Sequence, residues 1–80
     1  MIVEIEDHII DTSEISHVVR RVDRQYLGLV CHMKNGEYIT LVPLIYRLHS
    51  SYEKDRSDMK NLVKIYDAFK VLLDVKPLEI

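Results

Sequence analysis

The stretch CHMKNGEYITLV, from Cys31 to Val42, decides the fold, because it sets a turn between two runs of strand-forming residues. A two-residue loop at Asn35-Gly36 would mix apolar and polar side chains on both faces of the resulting hairpin. A three-residue loop, residues 34–36, sets Met33 opposite Glu37 and lets the glycine adopt the left-handed conformation of a G1 bulge. Because this register separates apolar from polar side chains, we predict a bulged hairpin with the three-residue loop.

The predicted register divides the hairpin into two faces. The apolar face carries Leu27, Leu29, Cys31, Met33, Ile39 and Leu41. The other face carries Val30, His32, Tyr38, Thr40 and Val42. Adjacent side chains on a strand point to opposite sides, so Cys31 and His32 are not suited to bind one metal ion together. We predict Cys31 as a small buried hydrophobe and His32 as a solvent-facing residue.

The segment from Asp58 to Asp74 has the period of an amphipathic helix. Its apolar side carries Met59, Leu62, Ile65, Tyr66, Ala68, Phe69, Leu72 and Leu73. Its polar side carries Lys60, Lys64, Asp67, Lys70 and Asp74. Ser57 or Asp55 is expected to cap the start, and Pro77 prevents continuation. The apolar arc is wider than the roughly 100° that a surface helix needs, so it either lies deep against a sheet or meets another chain.

The N-terminal third of the chain allows two interpretations. Residues 2–5 and 8–10 favour strands because they are rich in β-branched side chains. The helical period is matched by Ile15, Val18, Val19 and Val22. The same residues would also complete an antiparallel meander as a strand, and we favour a turn at residues 12–15 followed by a strand through Val22. Residues 43–54 fit a short helix or a strand end that runs into a loop.

These segments together predict a single α+β domain, residues 1–80. It contains a small antiparallel sheet of three to four strands and a long C-terminal amphipathic helix packed on one face. The alternative is the order β-α-β-β-α-α, in which residues 12–24 are helical. A chain of 80 residues is too short to form more than one hydrophobic core.

Composition and charge exclude several classes of protein. The formal net charge is −2, so no global positive field attracts nucleic acid or an anionic membrane. A single cysteine cannot form an intramolecular disulfide, and the sequence has no secretory signal pattern. No apolar run approaches the roughly 20 residues that span a bilayer. We expect a cytoplasmic protein of a bacterium, archaeon or virus, without a membrane partner.

The residues capable of chemistry form no catalytic or metal-binding pattern. The four histidines contain no H-x-x-x-H pair, and the single cysteine excludes a C-x-x-C motif. The serines lie in polar or capping contexts without a G-x-S-x-G turn, and the two glycines are too far apart for a phosphate-binding loop. We expect no metal, no cofactor and no enzyme activity; an enzyme of unknown class is the least favoured alternative.

The function predicted from these patterns is a small non-catalytic protein-interaction or regulatory module. Val63 and Val71 interrupt the polar arc of the helix, which fits either a surface that a partner covers or scattered exposed valines, which are common on protein surfaces. Self-association as a homodimer, through the helix or a sheet edge, belongs to the same prediction. The candidate interaction residues are Tyr38, Tyr46, Val63, Tyr66, Phe69, Val71 and Leu73.

The alternative function is a nucleic-acid-binding domain of the transcriptional-regulator type. Basic residues cluster near the predicted turn after residue 22 and along one side of the C-terminal helix. Tyrosine rings could provide stacking surfaces for bases. The candidate residues are Arg20, Arg21, Arg24, Lys60 and Lys64. The simpler interpretation of the helical lysines is a solvated face balanced by acidic neighbours.

Overall fold

The computed structural model of the chain describes residues 1–78. Its elements are β1 (Ile2–Ile5), β2 (His8–Asp11), β3 (Ile15–Val22), β4 (Tyr26–Met33), β5 (Tyr38–Tyr46) and α1 (Tyr52–Leu72). Short 3-10 turns follow β2 and β5, at Thr12–Glu14 and Arg47–His49. β1 and β2 form an antiparallel hairpin, while β3, β4 and β5 form a three-stranded antiparallel sheet in that order. The predicted α+β class is confirmed.

The segment of uncertain type, residues 12–24, is a turn followed by a strand. The 3-10 turn ends at Glu14, and β3 pairs antiparallel with β4 from Ile15 to Val22, with one irregularity between Ile15 and His17. The helical alternative is wrong. Pairing with β4 gives the β-branched side chains of this segment the pleated, half-buried surface that they favour.

The β4–β5 hairpin has the predicted three-residue loop. The Met33 N–H donates to the Glu37 carbonyl at 2.8 Å, and the Gly36 N–H donates to the Met33 carbonyl at 3.1 Å. Gly36 has a φ of +91°, which a glycine adopts without a steric cost. The Asn35 side chain accepts the Glu37 N–H at 2.9 Å and closes the turn. The predicted register at the loop is confirmed.

The predicted register holds only as far as Thr40. Val30 pairs with Thr40 but Leu29 pairs with Val42, so Leu41 is an extra residue in β5. Leu41 and Val42 are both buried, with 7% and 3% exposure. The prediction that Val42 lies on the outer face is therefore wrong, because a β-bulge breaks the strict alternation of side chains.

A second register shift places Gly28 opposite Pro43 and Leu44. A Cβ atom at position 28 would lie 3.1 Å from the Leu44 Cα, so glycine permits the close approach of the two strands. Pro43 has no N–H to donate and is tolerated because β5 is an edge strand. The bulge and the proline together interrupt the outer edge of β5.

The helix α1 begins at Tyr52, earlier than the predicted Asp58. The N-cap is Ser51, whose hydroxyl accepts a main-chain N–H of the first turn at 3.1 Å. The predicted caps, Ser57 and Asp55, lie inside the helix and were wrong. Periodicity missed this start because the first turns carry mainly polar or exposed side chains, which form no apolar stripe.

The C-terminal end of α1 is a Schellman motif. Leu73 is the C-cap, and Asp74 follows with a φ of +51°. The Val75 N–H donates to the Lys70 carbonyl at 3.0 Å, and the Asp74 N–H donates to the Val71 carbonyl at 3.2 Å. An aspartate therefore occupies the left-handed position that glycine favours.

Replacing Asp74 by glycine is expected to raise the free energy of unfolding by about 0.5–1 kcal/mol. Glycine removes the steric cost of the left-handed conformation, and the change also removes a negative charge from the negative end of the helix dipole. Asp74→Asn removes the charge but keeps the Cβ, so it should stabilise less. Urea denaturation of the three proteins measures the difference. Equal stability of the glycine and asparagine variants would contradict the steric explanation.

The hydrophobic core lies between α1, the inner face of the three-stranded sheet and the β1–β2 hairpin. Its buried side chains are Ile10, Ile15, Leu27, Leu29, Cys31, Leu41, Val42, Leu62, Ile65 and Phe69. Cys31 is fully buried as predicted. Within residues 1–78, no polar or charged residue is buried, and no helix has the length and apolar character that a membrane span requires.

Candidate interaction site

Two carboxylates with lowered pKa values hold turns together. The Ser13 side chain and N–H both donate to Asp11, at 2.8 and 3.0 Å, and lower its pKa. The pKa of Asp23 is lowered by the N–H groups of Tyr26 and Gln25, at 2.7 and 2.8 Å. Asp11 ends β2 and Asp23 lies between β3 and β4; the Ser13 hydroxyl and N–H account for the lowered pKa of Asp11, and main-chain N–H groups are the main cause for Asp23.

Arg47 connects three parts of the fold. Its Nε and Nη2 donate to the two carboxylate oxygens of Asp55 at 2.8 and 2.9 Å, and its Nη1 donates to the Asp23 carbonyl at 2.7 Å. The contact ties the first turn of α1 to the end of β5 and to the β3–β4 turn. The hydrogen bonds from Arg47 lower the pKa of Asp55 and raise the pKa of Arg47.

The Arg47–Asp55 contact is expected to make the fold less stable in acid. The pKa of Asp55 is lower in the folded chain than its ordinary value. Its contribution is therefore complete above that ordinary value, near pH 4, and is lost as the pH falls through the folded-state pKa. Asp55→Asn should be less stable than the wild type at neutral pH, and the difference should shrink in acid. Denaturant titrations across this pH range measure it; a difference independent of pH would contradict the expectation.

The Cys31–His32 pair is divided between the two faces of the sheet. Burial raises the pKa of the Cys31 thiol, which contacts the Met33 sulfur at 3.9 Å inside the core. The His32 ring lies on the outer face, stacked on the His17 ring with the ring centres 4.4 Å apart. His32 is therefore on the outer face of the sheet, as predicted, and is half-buried there. Among residues 1–78, no three metal-ligating side chains come together.

Aromatic rings cover the sheet face turned away from α1. We call this surface the ring face; its rings belong to His17, Tyr26, His32, Tyr38 and Tyr46. The Tyr26 and Tyr46 ring centres are 5.3 Å apart, and the His32 and Tyr38 centres are 6.1 Å apart. Tyr38 is 67% exposed, so this face is open to solvent. Tyr38 and Tyr46, two of the predicted interaction residues, lie here.

The two edges of the three-stranded sheet differ in protection. β5 carries a proline and two register shifts, which are devices that prevent pairing with another strand. β3 has eight residues, no proline and one irregularity, between Ile15 and His17 near its start. Apart from one histidine, its only ionisable side chains are two arginines. No strand within residues 1–78 pairs with the outer edge of β3, so β3 is the more accessible edge of the described structure.

The main-chain groups on the free edge of β3 can be assigned from the hydrogen-bond alternation. The Asp23 N–H donates to the Tyr26 carbonyl at 3.0 Å, which identifies a hydrogen-bonded pair. Such pairs alternate along an antiparallel ladder. The main-chain groups of Val18, Arg20 and Val22 consequently point away from β4, toward the open side of the sheet.

A groove of about 430 Å³ runs between β3 and the C-terminal half of α1. We call it the edge groove; its principal lining residues are Ile15, Val18, Tyr66, Phe69, Lys70 and Leu73. Its floor is apolar, because Ile15 and Phe69 belong to the buried core. The free edge of β3 and an apolar surface thus lie side by side.

Two cations lie at the rim of the edge groove, on the same aromatic ring. The Arg20 guanidinium is 4.4 Å from the centre of the Tyr66 ring, and the Lys70 Nζ is 5.0 Å from it. Asp67 lies 3.7 Å from the Lys70 Nζ. Among residues 1–78, Asp67 is paired with Lys70 and no carboxylate is paired with Arg20, so the described part of the rim carries two cations and one carboxylate.

The predicted interaction residues of α1 divide between two surfaces. Tyr66, Phe69 and Leu73 line the edge groove, but Phe69 is only 2% exposed and belongs to the core. Val63 and Val71 lie on the solvent side of the helix, with 43% and 81% exposure. The broad apolar arc seen in the sequence is thus partly core, partly groove wall and partly open surface.

The predicted nucleic-acid-binding residues do not converge. Arg20 lies at the edge groove, while Arg21 lies on the ring face, with its guanidinium 4.3 Å from the Tyr26 ring. Arg24 is in the β3–β4 turn. Lys60 and Lys64 border a shallow depression beside the β1–β2 turn. These five side chains are distributed over separate parts of the surface.

The sequence interpretation missed Ile15, Val18 and Lys70 as members of a site. Their residue types carry no functional signal, because two are ordinary core-type residues and the third is a surface lysine. They come together because the strand order leaves β3 at an edge and because α1 packs beside that edge.

Comparison with protein-family models, curated proteins and solved structures found no match for this chain. Its function therefore has to be inferred from its own geometry.

Proposed function

We propose that this chain is a non-catalytic protein-interaction module that binds an extended segment of a partner protein along β3. The supporting observation is the edge groove, where an unprotected strand edge adjoins an apolar wall. Strand addition uses main-chain hydrogen bonds for affinity and side-chain pockets for specificity. A reducing compartment such as the cytoplasm belongs to the proposal, because the single thiol of Cys31 is free.

The lowered pKa values of three aspartates in residues 1–78 have structural causes. The pKa shifts of Asp11, Asp23 and Asp55 come from hydrogen bonds within turns and from one ion pair. Catalytic groups are more often shifted by burial in a cleft beside another titratable group. The shifted carboxylates of this chain instead stabilise the connections between its elements.

Site-specific photo-crosslinking tests the proposed function. A photoreactive side chain at Ser16, on the wall of the edge groove, should crosslink to a specific protein in cells that express the chain. The same group at Glu53, on the exposed first turn of α1, is the control position. The Arg20→Pro variant removes an outward N–H without removing a bond to β4, and it should abolish the crosslink. Equal crosslinking from both positions would contradict the proposal.

A second candidate function is binding of single-stranded nucleic acid on the ring face. The observation that favours it is the set of exposed or half-exposed rings on one open sheet surface, with Arg21 beside Tyr26. Bases stack on such rings with little sequence preference. The net charge of −2 opposes strong binding to phosphates.

Titration with mixed single-stranded oligonucleotides at low and moderate salt tests this candidate. Binding should weaken steeply with salt, and Tyr38→Ala should weaken it further, since each stacked base contributes about 1–3 kcal/mol. Val63→Ala, on the opposite side of the molecule, is the control. Absence of binding at low salt would exclude nucleic acid as the ligand.

A further inference from the structure

The main chain and side chains of β3 together determine what a bound segment would meet. Val18 and Arg20 are two of the three β3 residues with outward main-chain groups, and their side chains also lie on the groove side of the sheet. Residues directly opposite each other in an antiparallel pair have their Cβ atoms about 4.5–5.5 Å apart on the same face. Each groove-facing residue of a bound segment, which is every second residue, would therefore be selected by the β3 residue that faces it.

The residue of the bound segment that lies opposite Val18 is expected to be apolar. Val18 is half-buried, and beside it lie the apolar residues Ile15, Phe69 and Leu73 that line the groove. A valine or isoleucine of the bound segment would cover this wall and remove apolar surface from water. The next groove-facing position, toward the start of β3, meets the same wall beside Ile15.

The residue of the bound segment that lies opposite Arg20 is expected to carry a carboxylate. Arg20 and Lys70 both lie against the Tyr66 ring, and Asp67 pairs with Lys70 but not with Arg20. A carboxylate of the bound segment would balance the remaining positive charge and accept a charge-assisted hydrogen bond. A lysine at the same position would face two cations.

The direction of β3 determines the order in which the acidic and apolar residues follow each other along the bound segment. β3 runs from Val18 to Arg20, and antiparallel pairing is slightly more stable per residue than parallel pairing. An antiparallel segment would therefore meet Arg20 first and Val18 two residues later. The expected order in the partner is acidic, any residue, apolar, any residue, apolar.

A second copy of the chain is a poorer occupant of this edge. β3 contains two arginines and no carboxylate. Antiparallel pairing of two β3 strands would bring four arginines together, and like charges on paired strands are destabilising.

We infer that the edge groove binds an extended partner segment in which an acidic residue precedes an apolar residue by two positions. This inference rests on the proposed function and specifies the chemistry of its partner. It predicts a preference for charge and for chain direction that a general apolar surface would lack.

Three fluorescent peptides test the inference with the full chain. Their central sequences are Asp-Thr-Val-Thr-Ile, its reverse Ile-Thr-Val-Thr-Asp, and Lys-Thr-Val-Thr-Ile. Anisotropy titrations should show the first peptide binding about tenfold more tightly than the third, a difference of roughly 1.4 kcal/mol. The reversed peptide should bind more weakly than the first. Equal affinity of the aspartate and lysine peptides would overturn the inference.

Charge reversal at Arg20 provides a second, independent readout. Arg20→Glu should invert the order, so that the lysine peptide binds more tightly than the aspartate peptide. Arg21→Glu is the matched control, because Arg21 is the next residue but lies over Tyr26 on the ring face. It should leave the order unchanged. An inverted order in both variants would mean that overall charge, not the groove, selects the peptide.

The outcomes separate this inference from the proposed function. One outcome is that no peptide binds, while the crosslink from Ser16 remains specific and is lost in Arg20→Pro. In that case the inferred chemistry of the partner segment is wrong and the proposed function stands. If sedimentation shows a dimer that Arg20→Pro dissociates, the occupant is a second copy and the inference is overturned. Protection of the Val18 and Arg20 amides from hydrogen exchange by the aspartate peptide would support strand addition.

Discussion

Replacing Phe69 by alanine is expected to lower the free energy of unfolding by about 3–5 kcal/mol, the usual range for a buried aromatic side chain. Phe69 is 2% exposed and contributes to the core and to the floor of the edge groove. A domain of 80 residues has a total stability of roughly 4–12 kcal/mol, so this change should leave the chain marginally folded. Loss of the ring would leave a cavity that the helix can only partly close.

The control for this prediction is Val71→Ala. Val71 lies on the same helix, and the sequence pattern predicted an interaction role for both residues, yet it is 81% exposed. Its replacement should change the stability by no more than about 0.5 kcal/mol. Chemical denaturation followed by circular dichroism measures both variants. Similar small losses for the two would show that Phe69 is not a core residue.

Replacing Gly28 by valine is expected to destabilise the fold by about 1–3 kcal/mol, as over-packed sites commonly do. A Cβ at this position would lie 3.1 Å from the Leu44 Cα and 3.4 Å from its main-chain nitrogen. Main-chain atoms cannot rotate away from a new side chain as the end of a flexible side chain can. The two strands would have to separate at the point where β5 is already bulged.

Val19→Ile is the matched control for added volume. Val19 is 45% exposed and pairs with Val30 on the ring face, where the extra methyl group meets solvent. Its stability should stay within about 0.5 kcal/mol of the wild type. If Gly28→Val is equally stable, the close approach of Leu44 does not require glycine. Chemical denaturation of the two variants in parallel distinguishes these results.

The local features of the fold could be predicted because neighbouring residues specify them. Asn35 and Gly36 define the loop of the β4–β5 hairpin, and its register near the loop follows from separating apolar from polar side chains. The existence of α1 follows from its apolar period. Its start did not follow, because the Ser51 cap precedes turns that lack this period.

The bulges and the candidate site could not be predicted from the patterns of neighbouring residues. The bulge at Leu41 allows two successive residues, Leu41 and Val42, to enter the core, whereas strict alternation assigned them to opposite faces. The edge groove joins Val18 of β3 to Tyr66 and Lys70 of α1. These residues are far apart in the chain, and no periodic pattern links them.

The sequence by itself determined the α+β class, the bulged loop at residues 34–36 and the inward position of Cys31. It did so because turn chemistry, strand alternation and helical period act between residues close in the chain. Only the tertiary structure decided that β3 is the accessible edge and that Arg20 and Lys70 share the Tyr66 ring. Those relations depend on strand order and on how the helix crosses the sheet, which arise from the packing of the whole core.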